Sequence, residues 1–77
     1  MLKPVVGKAV ANAAYEQLRR SILSREFAPG ERLPAERRLS EVLHVNRNAV
    51  REALRRLQQA RLISVRHGGG STVQDFI

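Results

Sequence analysis

The stretch Asn46-Arg47-Asn48-Ala49-Val50-Arg51-Glu52-Ala53-Leu54-Arg55-Arg56-Leu57 leaves the chain little choice of fold. On a helical wheel at about 100° per residue, Val50, Ala53, Leu54 and Leu57 share an arc of about 100°. Arg47, Asn48, Arg51 and Arg55 share a separate arc of about 100°, turned away from the first. A helix over residues 47–60 must therefore bury one face and present the other. Asn46 suits its N-cap, because an asparagine oxygen can accept from the free N–H groups of the first turn.

The residues on either side set the company this helix keeps. Residues 1–8, with Pro4 and Gly7, show no period and read as an arm; residues 9–77 read as one domain. A first helix is predicted from Ala9 to Arg25. Val10, Ala14, Leu18 and Ile22 recur at spacing four, with Ala11, Tyr15 and Leu23 beside them. Phe27-Ala28-Pro29-Gly30 ends it. Glu31-Arg32-Leu33 reads as a short extended piece, and Pro34 suits the start of a second helix, Ala35 to Leu43. That helix is short and needs packing to persist, with Leu39, Val42 and Leu43 on its inner side. His44-Val45-Asn46 breaks the pattern before the third helix. Ile63 and Val65 then alternate with Ser64 and Arg66, and Ser71-Thr72-Val73-Gln74 is again β-prone. These read as a hairpin around His67-Gly68-Gly69-Gly70.

Charge points to a partner. Fourteen Lys and Arg face seven Asp and Glu, for a net charge of +7. All but Lys3 and Lys8 are arginines, and Arg32 to Arg66 holds nine arginines against three glutamates. Arginine's planar fork suits phosphates and guanine edges in a way lysine cannot match. A polyanion is the natural partner.

Other classes are poorly served. A chain of 77 residues buries a shallow core. His-Gly-Gly-Gly is found in esterase oxyanion holes, but no GxSxG nucleophile accompanies it, and a P-loop would need GKS or GKT. There is no cysteine and no paired-histidine motif, so no metal, cofactor or enzymatic activity is expected. No apolar run approaches the roughly 20 residues of a membrane span. MLKPVVGKAVANAA lacks the apolar core of a signal peptide. A cytoplasmic protein is expected.

Helix, short strand, helix, tight turn, helix and hairpin together describe a winged helix-turn-helix, an α+β fold dominated by α. Its third helix enters the major groove of duplex DNA. Arg47, Asn48 and Arg51, at the start of that helix, are the expected base readers or phosphate binders. Arg55 and Arg56 lie farther along and are expected on phosphate or paired with Glu52. One of Arg37 and Arg38 is expected to clamp a phosphate, the other to be solvated. His44 reads as a turn residue and Tyr15 as core with its hydroxyl at the rim. The competing reading is a winged helix that binds protein or RNA, which the arginine face argues against.

FAPGERLPAERRLSEVLHVNRNAVREALRRLQQARLISVRHGGGSTV resembles the amino-terminal domain of the GntR family of bacterial transcription regulators, most of all the subgroup that includes the fatty-acid metabolism regulator. PGERLPAER, VREALRRL and HGGGSTV carry the resemblance, and YEQLRRSIL extends it less closely into the first helix. It implies DNA contacts by Arg37, by Asn46, Arg47, Asn48, Ala49 and Arg51, and by His67, Gly68 and Gly69 in the minor groove. The family commonly has Ser or Thr at the positions of Asn46 and Asn48, and Thr or Pro at that of Ala49. Some members place a cation after the first wing glycine, which this chain lacks. The resemblance further implies a transcription regulator, repressor or activator, acting as a homodimer on a pseudo-palindromic operator. A carboxy-terminal domain would bind an effector and dimerise; no such domain fits within these residues.

Overall fold

The computed structural model describes residues 7–66 and 70–74. Three helices, α1 (Gly7–Leu23), α2 (Glu36–Leu43) and α3 (Arg47–Gln59), precede an antiparallel hairpin of β1 (Ile63–Arg66) and β2 (Gly70–Val73). The register pairs Ile63 with Val73 and Arg66 with Gly70. This is the winged helix-turn-helix expected from the sequence.

α3 is the element around which the rest is assembled: it packs against α1, α2 and β1. Val50, Ala53 and Leu57 have no solvent exposure. They share one cluster with Ala14, Leu18 and Ile22 of α1, Leu39 of α2, Leu33 of the linker, and Ile63 and Val73 of the hairpin. The predicted stripes of α1 and α3 are thus the two sides of one core.

The helix ends depart from expectation in informative ways. α1 begins at Gly7, so Gly7 and Lys8 form its first turn rather than the end of an arm. It stops at Leu23, two residues early, because Arg25 takes a left-handed conformation at φ 67°. α2 begins at Glu36, with Ala35 as an extended N-cap that makes no side-chain bond. Pro34 therefore precedes the cap instead of opening the helix. His44 closes α2 at φ 56°, and the Val45 N–H donates back to the Ser40 carbonyl at 3.2 Å. Arg61 closes α3 in the same way at φ 63°, with the Leu62 N–H donating to the Leu57 carbonyl at 2.9 Å. All three stops use a left-handed residue, the usual C-terminal solution, but none uses glycine.

Two side chains lie off the faces predicted for them. Val42 is 55% exposed. From Leu39, Leu43 lies about 40° round the helix and Val42 about 60° the other way, so an eight-residue helix centred on Leu39 leaves Val42 at its edge. Leu23, in the last position of α1, is also exposed.

The linker between α1 and α2 braces the hairpin. Ala28-Pro29-Gly30-Glu31 is a tight turn closed by the Glu31 N–H to the Ala28 carbonyl at 2.9 Å, with Gly30 at φ 87°. That geometry wants proline second and glycine third. The short extended piece then runs along β2. The Val73 N–H donates to Glu31, the Gly30 N–H to Val73 and the Leu33 N–H to Ser71, at 2.8–2.9 Å, around a single bridge from Arg32 to Thr72. Pro34 carries no N–H and cannot extend that ladder with a donor.

Truncating Leu57 tests how far the core depends on this seam. Leu57→Ala is expected to cost about 2–5 kcal/mol in denaturant unfolding, whereas Val42→Ala should stay within about 0.5 kcal/mol. Equal losses would show that α3 does not organise the core.

Candidate nucleic-acid interface

The turn between α2 and α3 fixes where the arginine face begins. His44 is an exposed turn residue, and the half-buried Val45 packs against the core. Asn46 is extended and its Oδ1 accepts the Ala49 N–H at 2.8 Å. This is the cap expected from the sequence. It also gives the Asn46 side chain a structural task within the protein.

Arg47, Asn48, Arg51 and Arg55 are all exposed on one side of α3, opposite the buried stripe. Ala49 is not among them. Its side chain is 2% exposed, and its N–H is taken by the cap. Position 49 falls on the wheel about 40° from Ala53, which turns its methyl group inward. On α2, Arg37 is exposed and forms no salt bridge among the described residues, and Arg38 lies 3.9 Å from Glu41. His67, Gly68 and Gly69 lie outside the described residues.

The arginines differ in what holds them. Arg55 Nη1 donates to Glu52 Oε2 at 3.1 Å, the pairing expected at spacing three. Arg56 does not join Glu52. Its guanidinium lies over the Tyr15 ring, 4.1 Å from the centroid, and Nη1 donates to Asn12 Oδ1 at 2.9 Å. Position 56 lies between the two arcs of α3 and faces α1, so Arg56 serves helix packing through a cation–π contact and a hydrogen bond.

Glu36 is the residue that spacing could not reveal. In the first turn of α2, its carboxylate receives three hydrogen bonds from α3. Arg47 Nε donates to Oε1 at 3.2 Å. Arg51 donates through Nε to Oε2 at 3.2 Å and through Nη2 to Oε1 at 3.0 Å, a fork-to-fork pair. The partners are eleven and fifteen residues away in sequence, across the turn. The Glu36 side chain is 24% exposed, against 60% and 57% for Arg47 and Arg51. Its backing is partly sheltered, while the arginine ends reach solvent. Arg32 is the second such residue. A Cβ on Gly70, at φ 79°, would stand 3.3 Å from Arg32 Nε and Nη2. The glycine therefore gives the guanidinium a seat on β2. Arg32 and Gly70 line a groove of about 590 Å³ between α3 and the hairpin, with Arg51, Arg55 and Val65.

The hydrogen bond from Arg51 is the largest influence on Glu36. With the charges of both arginines it outweighs desolvation and holds the carboxyl below its ordinary value of 4.5. A carboxyl whose folded-state value is lowered adds stability above the unfolded value and loses it as pH falls through the folded one. The stability difference between the parent chain and Glu36→Gln is therefore expected to be present at neutral pH and to shrink as pH drops below 4.5. Thermal melts across that range check it; a difference that grows on acidification would contradict the pairing.

Comparison with known proteins agrees with this geometry. The profile of "Bacterial regulatory proteins, gntR family" matches residues 10–73. Over 75 residues the chain is 51% identical to the HTH-type transcriptional regulator Mce2R of Mycobacterium tuberculosis, spanning 97% of this chain and 31% of that protein. Over 72 residues it is 40% identical to the fatty acid metabolism regulator protein of Edwardsiella ictaluri, spanning 94% of this chain and 30% of that one. The chain thus spans less than a third of these curated relatives. Among solved structures, a GntR transcriptional regulator from Rhodococcus superposes with a TM-score of 0.82 at 31% identity, over 87% of this chain and 32% of that one. The AraR DNA-binding domain in complex with operator ORR3 superposes at 0.79 with 25% identity, over 83% of this chain and 77% of that one. The chain belongs to the gntR family of bacterial regulatory proteins, as a winged-helix DNA-binding domain of that family.

Proposed function

We propose that this domain reads a specific duplex sequence by laying α3 in the major groove, with Arg47, Asn48 and Arg51 at the base edges. The observation that carries this is the arginine-asparagine face at the capped start of α3, opposite a stripe with no solvent exposure. Arginine offers two parallel donors to guanine O6 and N7, and asparagine matches adenine N6 and N7. The first turn of α3 adds N–H groups and a positive dipole end toward phosphate. Arg37 contacts backbone phosphate from α2. Arg38 and Arg55 serve as weaker phosphate contacts, since each already faces a carboxylate. Asn46 acts through the backbone it caps, and Ala49 contributes backbone rather than side chain. His67, Gly68 and Gly69 meet the minor groove, about 6 Å wide in B-DNA.

The operator complex of the AraR domain supports duplex DNA as the partner. The regulator containing this domain acts in the cytoplasm as a homodimer on a pseudo-palindromic site, with a small-molecule effector bound outside this domain. The family membership and the length of the curated relatives support that arrangement.

Selection from a randomised duplex pool, followed by salt titration, tests this. The selected duplex is expected to bind with an affinity that falls steeply with salt, log K changing by about −0.9 per log unit for each phosphate neutralised. Arg47→Ala and Arg51→Ala should each cost about 1–3 kcal/mol on the selected duplex and less on a shuffled one. Equal losses on both duplexes would make these arginines phosphate contacts. No salt-sensitive duplex binding at low ionic strength would overturn the proposal.

A further inference from the structure

We infer that Glu36 is a positioning residue that sets sequence discrimination, holding Arg47 and Arg51 in a fixed outward fork and neutralising one of their two charges. This rests on the major-groove reading of α3 proposed above.

The geometry separates the two edges of Arg51. A guanidinium carries five N–H donors in one plane. Arg51 uses its Nε edge and one Nη2 donor on Glu36. That leaves the Nη1–Nη2 end, which points away from the carboxylate and matches a guanine bidentately. Its side chain is more than half exposed, so it remains accessible while held from behind. Arg47 is held through Nε alone and keeps both terminal nitrogens. Arg51 Nη1 also donates a long hydrogen bond to Asn48 Oδ1 at 3.5 Å, which takes one of its two protons and leaves the other.

A free arginine suits any phosphate it meets, because its long side chain can swing to it. An arginine locked by a bidentate carboxylate has fewer alternatives and meets only the group its open edge faces. The carboxylate also leaves the trio of Glu36, Arg47 and Arg51 with a net charge of +1, since two positive charges meet one negative. Sequence-independent attraction to DNA scales with the charge that neutralises phosphates. Glu36 therefore lowers the affinity of this face for arbitrary duplex while preparing it for the right bases. The other acids near the face, Glu41 and Glu52, engage Arg38 and Arg55 instead.

Two variants separate charge from placement. Glu36→Gln removes the charge while keeping the length. Glu36→Asp keeps the charge but draws the carboxylate back by one methylene. Binding of the 77-residue chain is measured on the duplex it selects from a random pool and on a shuffled duplex, across a salt series, corrected for the folded fraction seen by circular dichroism. Glu36→Gln is expected to bind the shuffled duplex several-fold more tightly, with a salt slope steeper by up to about 0.9. Its ratio of selected to shuffled affinity should fall by about tenfold, the worth of one lost bidentate reader. Glu36→Asp should keep the parent salt slope and still lose discrimination. If both variants weaken the two duplexes by one common factor, Glu36 is only a fold residue and the inference is overturned. An unchanged ratio in both variants, with a selective parent chain, also overturns it and leaves the DNA-binding proposal standing. A parent chain that binds no duplex overturns both.

Discussion

The seam made by Val50, Ala53 and Leu57 fixes the rotation of α3, and most of the molecule depends on that rotation. With all three at zero exposure, α3 cannot roll without opening the core to water. The cluster behind them draws on every other element, so the position of α3 is set from several sides at once. Because the helical period turns Asn48 and Arg51 away from the seam and sets Arg47 at its flank, burial of the back determines the direction of the front. A small domain has few apolar contacts with which to define a surface. This one concentrates them under the helix that carries its candidate interface.

The arginines of α3 show how one residue type serves different ends according to position. Arg56 looks like its neighbours in sequence, yet it lies against α1 and is held by Tyr15 and Asn12. Arg55 is balanced locally by Glu52, an exposed pair of little energetic weight. Arg47 and Arg51 converge on Glu36 from the next helix. The four arginines of α3 therefore overstate what the helix offers a polyanion, since Glu36 and Glu52 offset two of those charges.

What the sequence revealed and what it concealed follow from the range of the interactions involved. The α3 stripe and the Asn46 cap were legible because both are local: one is a period, the other a side chain bonding three residues ahead. The ends of α1 and α3 were placed late because Arg25 and Arg61 adopt left-handed backbone without the glycine that would signal it. Val42 lies off the inner face expected of it because an eight-residue helix offers too little length to define its stripe from sequence. Ala49 enters the candidate site by resemblance, although its wheel position sets it about 40° from Ala53 at the edge of the buried stripe. Glu36 and Arg56 depend on contacts across elements, and neither pattern nor composition encodes those. The wing tip at His67, Gly68 and Gly69 lies outside the described residues, so only the base of the hairpin can be compared with expectation.

That base explains how two separate parts of an interface can share one frame. Ile63 and Val73 pair across the hairpin, and both enter the cluster that holds Val50 and Leu57. The opposite edge of β2 is bonded to Gly30, Glu31 and Leu33, and Leu33 is itself in the core. A two-stranded hairpin alone is marginal in water. Here the linker bonds one edge while the core holds one face, so the start of the wing is fixed relative to α3. Arg32 extends the same logic outward: its backbone bridges to Thr72 while its guanidinium rests on Gly70. A side chain at position 70 would meet that guanidinium, and a non-glycine residue would strain the positive φ there. The glycine at the end of the HGGG run is thus required by the fold itself, apart from any role of the three residues before it.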